Sequence, residues 1–184
     1  MGYGLSDFVG DLRAVAGGTR DDRVIIDRVR SLARELALSK TWLDRRHYEC
    51  DAAQGFGVHL LHEEPDHTLW VIAASWLPGR GAPPHNHGTW AVVAGVDGPE
   101  TNVFWTRLDD GSRPGYAEVR KQAELVFGPG DVVSFLPGSI HSVENRTDAV
   151  SVSLHVYGRH LNYVNRSQFD PGRKTATPFI LTVQ

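Results

Sequence analysis

From Gly55 onward the chain runs in short stretches of β-branched and aromatic residues, each broken by glycine or proline: GVHLLH, HTLWVIAASW, TWAVVAGV, TNVFWTRL, LVFGPGD, VVSFLPGS, AVSVSLHVYG and PFILTV. No helical pattern lies between them, so crossover helices are not available to join parallel strands. The expected fold class is an all-β core, an antiparallel sandwich or barrel. LDDGSRPG, residues 108 to 115, reads as a hairpin loop, and Asp170 to Pro178 as an irregular crossing before a last strand at PFILTV. Residues 1 to 50 have a different texture. Phe8, Leu12 and Val15 recur at helical spacing behind Ser6 as a cap. A second helix is expected to start at Asp21 and Asp22, with Ile25, Ile26, Val29, Leu32, Leu36 and Leu38 as its apolar stripe. That stripe is expected to face a core. The organisation predicted is one domain over 1–184, a helical segment at 1–50 packed on a barrel at 55–184.

At 184 residues the chain can bury one substantial core, and its 41% hydrophobic and 22% charged residues are ordinary for a soluble domain. A net charge of -3 offers no field to gather nucleic acid or anionic lipid. Cys50 is the single cysteine, so no internal disulfide forms and a reducing compartment is expected. The N-terminus carries acids early without a basic start and apolar run, which does not fit a signal peptide. No run reaches the ~18 apolar residues of a membrane helix. The expectation is a cytoplasmic monomer with neither a nucleic-acid nor a membrane partner.

Nine histidines are present. His47, His62 and His67 sit among polar residues and read as solvated. His85 and His87, in PPHNHGTW, are spaced so that a strand would turn both to one face. Pro83 and Pro84 stiffen the approach to them. A third candidate, His141, follows the Pro137–Gly138 turn in GPGDVVSFLPGSIHSVEN. With Gly79 and Gly98 flanking the H-x-H, and Gly130, Pro137, Gly138, His141 and Asn145 downstream, the chain resembles the cupins. That resemblance implies a double-stranded β-helix, a jelly-roll-like barrel, bracketing a metal site. Where cupins usually carry a glutamate this chain has Ala91 or Val92, which leaves three histidines. Three neutral imidazoles leave a divalent ion its full charge and an open face suited to anionic ligands.

In AVSVSLHVYG, Val150, Val152, Leu154 and Val156 share one face and Ser151, Ser153, His155 and Tyr157 the other. The polar face either lines a cavity or meets solvent at an edge. Ser153, His155 and Tyr157 can form a chain of hydrogen bonds that moves a proton. The S-x-H-x-Y run beside three histidines is similar to the thiol dioxygenases, the family of cysteine dioxygenase and 3-mercaptopropionate dioxygenase. NRSQFDP followed by PF resembles the bacterial branch. The resemblance implies Fe(2+) held by His85, His87 and His141, with Ser153, His155 and Tyr157 as the surrounding relay. It implies a small carboxylated thiol and O2 as partners, with a sulfinate as product. The position of the mammalian enzymes' cross-linking cysteine falls at Val92, which leaves cysteine in doubt as substrate. GVHLLH offers His59 and His62 but no arginine for a substrate carboxylate. The bacterial pattern places that arginine at Arg166, with Arg80 a weaker candidate. Two other readings stay open: a Zn, Ni or Mn cupin enzyme of isomerase type, and a non-catalytic ligand-binding cupin.

Overall fold

The computed structural model describes residues 2–183. Two helices come first, α1 (Leu5–Gly18) and α2 (Asp22–Ser39). Asp21 caps α2, accepting a hydrogen bond from the Arg23 amide at 2.9 Å. At α1 the cap is Gly4 rather than Ser6, with Asp7 accepting from the Gly4 amide at 3.0 Å. Phe8, Leu12, Ile25, Ile26, Val29 and Leu36 are buried as the spacing predicts. Leu38, two residues past Leu36 and so rotated about 200° away, is 47% exposed, and Ala33 and Ala37 fill the stripe instead. No helix among the described residues is long and apolar enough to cross a membrane.

Eleven strands follow among the described residues: β1 (Phe56–His62), β2 (Thr68–Trp76), β3 (Gly81–His85), β4 (Ala91–Asp97), β5 (Glu100–Arg107), β6 (Val119–Phe127), β7 (Val132–Phe135), β8 (Ile140–Glu144), β9 (Ser151–Arg159), β10 (Ser167–Asp170) and β11 (Thr175–Pro178). They form two antiparallel sheets, ordered β1-β2-β9-β4-β7 and β11-β10-β3-β8-β5-β6. Without the outer additions these orders are 2-9-4-7 and 3-8-5-6, the strand order of a jelly roll, so the core is a double-stranded β-helix. The tail departs from expectation. Asp170 and Thr175 close a tight hairpin between β10 and β11, whereas PFILTV forms no strand of its own: Pro178 ends β11 and residues 179–183 are irregular. Its residues instead cross the mouth of the barrel.

One cluster of buried side chains joins the two helices to the outer face of the first sheet, through Val71, Val92, Ala94, Val152, Leu154 and Val156. A second fills the barrel between the sheets, with Val58, Trp70, Ile72, Trp76, Ala91, Val93, Phe135 and Tyr157. Alternation along β9 thus sends its valines and leucine under the helices and its polar residues into the barrel. Both faces of this strand are buried, so no polar edge meets solvent there.

Candidate active site

β3 carries Pro83 and Pro84 through an irregularity in its pairing with β8, and the strand ends at His85. His87 lies beyond the strand, so strand alternation does not bring the pair together. A tight turn does. The Asn86 amide donates to Ser167 O, the Ser167 amide to Asn86 Oδ1, and the Gly88 amide to Pro137 O. Gly88 has φ +67°, and a Cβ there would stand 2.5 Å from Asn165 O, so only glycine fits. His141, on β8, registers directly opposite His85. The three rings have centroids 4.6 to 5.1 Å apart, and one nitrogen from each lies within 4.8 Å of the others.

Hydrogen bonds set the ring tautomers. His85 Nδ1 donates to Pro83 O at 2.7 Å and His141 Nδ1 to Asn102 Oδ1 at 2.9 Å. Each is left with a lone pair at Nε2, the arrangement that orients a histidine for a metal. His141 Nε2 and His87 Nδ1 are buried without a partner. Burial, then the nearby Arg166, pushes His85 down to about 3, and burial holds His87 and His141 well below their ordinary range. Three neutral rings with unused lone pairs in an apolar enclosure fit a divalent cation. Carboxylates take no part in the group. Ala91 stands on the inner face as the register partner of Tyr157, and Val92 packs outward against the helices. Neither side chain offers a sulfur beside Tyr157. Cys50 lies elsewhere, its thiol 3.3 Å from Ser75 Oγ.

The expected chain along β9 is present. Ser153 Oγ lies 2.8 Å from His155 Nε2, and His155 Nδ1 lies 2.7 Å from the Tyr157 hydroxyl. Burial pushes His155 down to about 3 and raises Tyr157 above its usual range. Tyr157 stacks on Trp70 and lies 5.6 Å from the His87 ring.

Arg166 precedes β10 and is only 6% exposed. Its Nε and Nη1 have no partner, and its guanidinium lies 4.2 Å from the centre of the Phe179 ring. Burial lowers it to about 10, still a cation at neutral pH. A desolvated guanidinium without a counter-ion is a site for a carboxylate. His85, His87, His141, His155, Tyr157 and Arg166 all line one cavity of about 30 Å³, walled otherwise by apolar side chains. Arg80 points elsewhere, donating to Ala53 O at 3.1 Å. His59 turns away from the barrel to Glu49 O at 2.9 Å, while Phe56 and Val58 line the cavity.

Sequence reasoning missed several groups. Asn102 and the backbone of Pro83 fix the ligand rings. Glu100 is 5% exposed at the start of β5, and burial pushes its carboxyl up to about 7. Phe179 and Leu181 of the tail close the cavity. His47 is not solvated but 1% exposed, taking the Asp44 amide at 3.0 Å on a short 3-10 turn that rotates it inward beneath Trp42.

No family model matches the chain. Solved structures similar to it include an uncharacterized conserved protein with a double-stranded β-helix domain from Klebsiella pneumoniae, at 12% identity and TM-score 0.48 over 70% of this chain and 96% of that one. An oxalate oxidase in complex with glycolate matches at 16% identity and TM-score 0.48, over 64% of this chain and 59% of that one. A DMSP lyase from Ruegeria pomeroyi matches at 17% identity and TM-score 0.46, over 67% of this chain and 57% of that one. This chain thus spans less than two thirds of the oxidase and lyase chains.

Proposed function

We propose that the protein is a non-haem Fe(II)-dependent thiol dioxygenase acting on a small carboxylated thiol of the 3-mercaptopropionate, mercaptosuccinate or cysteine class. One observation carries this reading. Three neutral histidines without a carboxylate, the histidine and tyrosine of a hydrogen-bonded serine–histidine–tyrosine chain, and an unpaired buried arginine all face a single cavity. His85, His87 and His141 would hold the ion, and iron there supplies the redox chemistry that joins dioxygen to sulfur. The overall change is RSH + O2 → RSO2H: sulfur is oxidised, dioxygen is reduced, and both oxygen atoms stay with the product.

The chain's own residues do the rest. Arg166 takes the substrate carboxylate on its planar fork and so sets which end of the thiol points at the histidines. Tyr157 meets the thiol and, through His155 and Ser153, gives its proton somewhere to go without leaving a full charge in the cavity. Val58, Ile72, Ala74 and Trp76 keep water from the reacting sulfur. Oxygen consumption by iron-reconstituted protein across a thiol panel is the test. Uptake is expected with carboxylated thiols, stoichiometric with sulfinate, and absence of uptake with the whole panel refutes the reading.

A further inference from the structure

Ser153 is not the end of the hydrogen-bonded chain. Glu100 enters the barrel at the start of β5, almost wholly buried, with Oε1 lacking any partner. Ser153 and the Trp76 indole are the polar neighbours that counter the effect of burial on its carboxyl, and Trp76 Nε1 lies 3.4 Å from Ser153 Oγ. A buried carboxyl that faces two neutral donors and no cation is expensive as a carboxylate, and an apolar core would be cheaper. Its position is explained if it serves the chain it touches.

The counting of protons is strict. A serine hydroxyl has one proton to give. When Glu100 is a carboxylate it can only accept, so Ser153 donates to it and accepts from His155 Nε2–H. His155 Nδ1 then carries a lone pair and accepts from the Tyr157 hydroxyl. When Glu100 is protonated and donates, Ser153 turns its proton to His155 Nε2, Nδ1 carries the proton, and Tyr157 becomes the acceptor.

We infer that Glu100 is the inner terminus of the relay, a positioning residue that sets the tautomer of His155 through Ser153 and stores the proton that enters at Tyr157. This rests on the reading of the cavity as a thiol site. As a thiol binds, its proton passes to the Tyr157 oxygen and the tyrosine's own proton to His155 Nδ1. The Nε2 proton passes to Ser153 Oγ, and the serine proton to Glu100. One S–H bond breaks, one O–H bond forms on the carboxyl, and each intermediate group keeps its number of protons.

A carboxyl pushed up to about 7 is matched to that task at neutral pH. The titratable groups that face it belong to β9: His155 directly along the chain, and Tyr157, which also feels Arg166. β2 brings only Trp76, and β6 only Phe127 as register partner. On β8 the nearby Glu144 is engaged with Arg146 at the surface.

The test is NMR of the full-length zinc-loaded protein carrying nitrogen-labelled histidine, followed across pH. In wild type, the protonated nitrogen of His155 should move from Nδ1 to Nε2 as pH rises through about 7. Glu100→Gln should abolish that movement. In the iron-loaded enzyme it should also lower kcat/KM for 3-mercaptopropionate by about tenfold or more. Ser153→Ala keeps Glu100 but cuts the connection, and should lose the movement too. A tautomer that stays fixed in wild type, or switches unchanged in either variant, overturns the inference. Switching as described in a protein that oxidises no thiol refutes the thiol reading and leaves the relay standing.

Discussion

Arg166 has no acid to neutralise it, yet it is buried beside three histidines whose protonation it further discourages. A charge left so isolated stays only if an anion completes it. Arg166→Ala should therefore lower kcat/KM for carboxylated thiols by about 30- to 150-fold, the ~2–3 kcal/mol of a charge-assisted bond. Kinetics with an uncharged thiol of similar size should change little, and an equal loss for both would mean a structural arginine. Arg166→Lys should be nearly as costly, because a point charge cannot reproduce the fork. The positions of His85, His87, His141, Ser153, His155, Tyr157 and Arg166 could be read from spacing and resemblance because each sits in a short motif. Glu100 could not. Behind Gly98 and Pro99 it looks like a turn residue bound for water, and only the pairing of β5 inside the barrel buries it. His47 is hidden for a similar reason: its arginine neighbours are exposed, and a single 3-10 turn sends the histidine the other way.

The strands were legible because alternation and turn chemistry are local, and β9 most of all, since its two faces differ in polarity along its length. What alternation cannot reveal is which barrel segments lack a partner strand. PFILTV has strand composition, yet only its first residue, Pro178, is paired, at the end of β11. Asn162 holds it in place, its side chain bonded to both the amide and the carbonyl of Leu181. The segment consequently serves as a cover. Phe179 packs on the Arg166 guanidinium and sets its ring 5.2 Å from His85. The cavity beneath, about 30 Å³, has room for little more than an ion or a water, so admission of a thiol requires this cover to yield. Phe179→Ala should admit water to Arg166 and weaken its hold on a carboxylate, raising KM about tenfold, or ~1.4 kcal/mol, with little change in kcat. It should also widen the range of thiols accepted. A variant with unchanged KM and the wild-type preference would show that the tail has no part in binding.

The whole barrel bears the cost of its interior. Four histidines, His85, His87, His141 and His155, are held neutral far below the 6.5 of a free imidazole. The unfolded chain binds those protons and the folded chain refuses them, so stability is fully present above pH 6.5 and falls as the solution is acidified. At pH 5 His85 and His155, pushed down to about 3, each cost about 2 kcal/mol, a large share of the ~5–15 kcal/mol that holds a domain folded, and His87 and His141 act in the same direction. Glu100 works with the opposite sign. Its folded value lies above that of a free carboxyl, so it favours folding in acid and costs up to about 3 kcal/mol once pH rises past 7. The histidines win on the acid side because they are four against one. Metal-free protein should accordingly lose most of its stability between pH 6.5 and 5, as read by urea unfolding. Glu100→Gln should gain about 1–3 kcal/mol at pH 8 and almost nothing at pH 5. A divalent ion should move the acid limb to lower pH, because protons must then compete with the metal for His85, His87 and His141, and only His155 still titrates freely. Unfolding midpoints that are flat from pH 5 to 7, or that ignore added zinc or iron, would mean that these three rings neither stay neutral together nor share an ion.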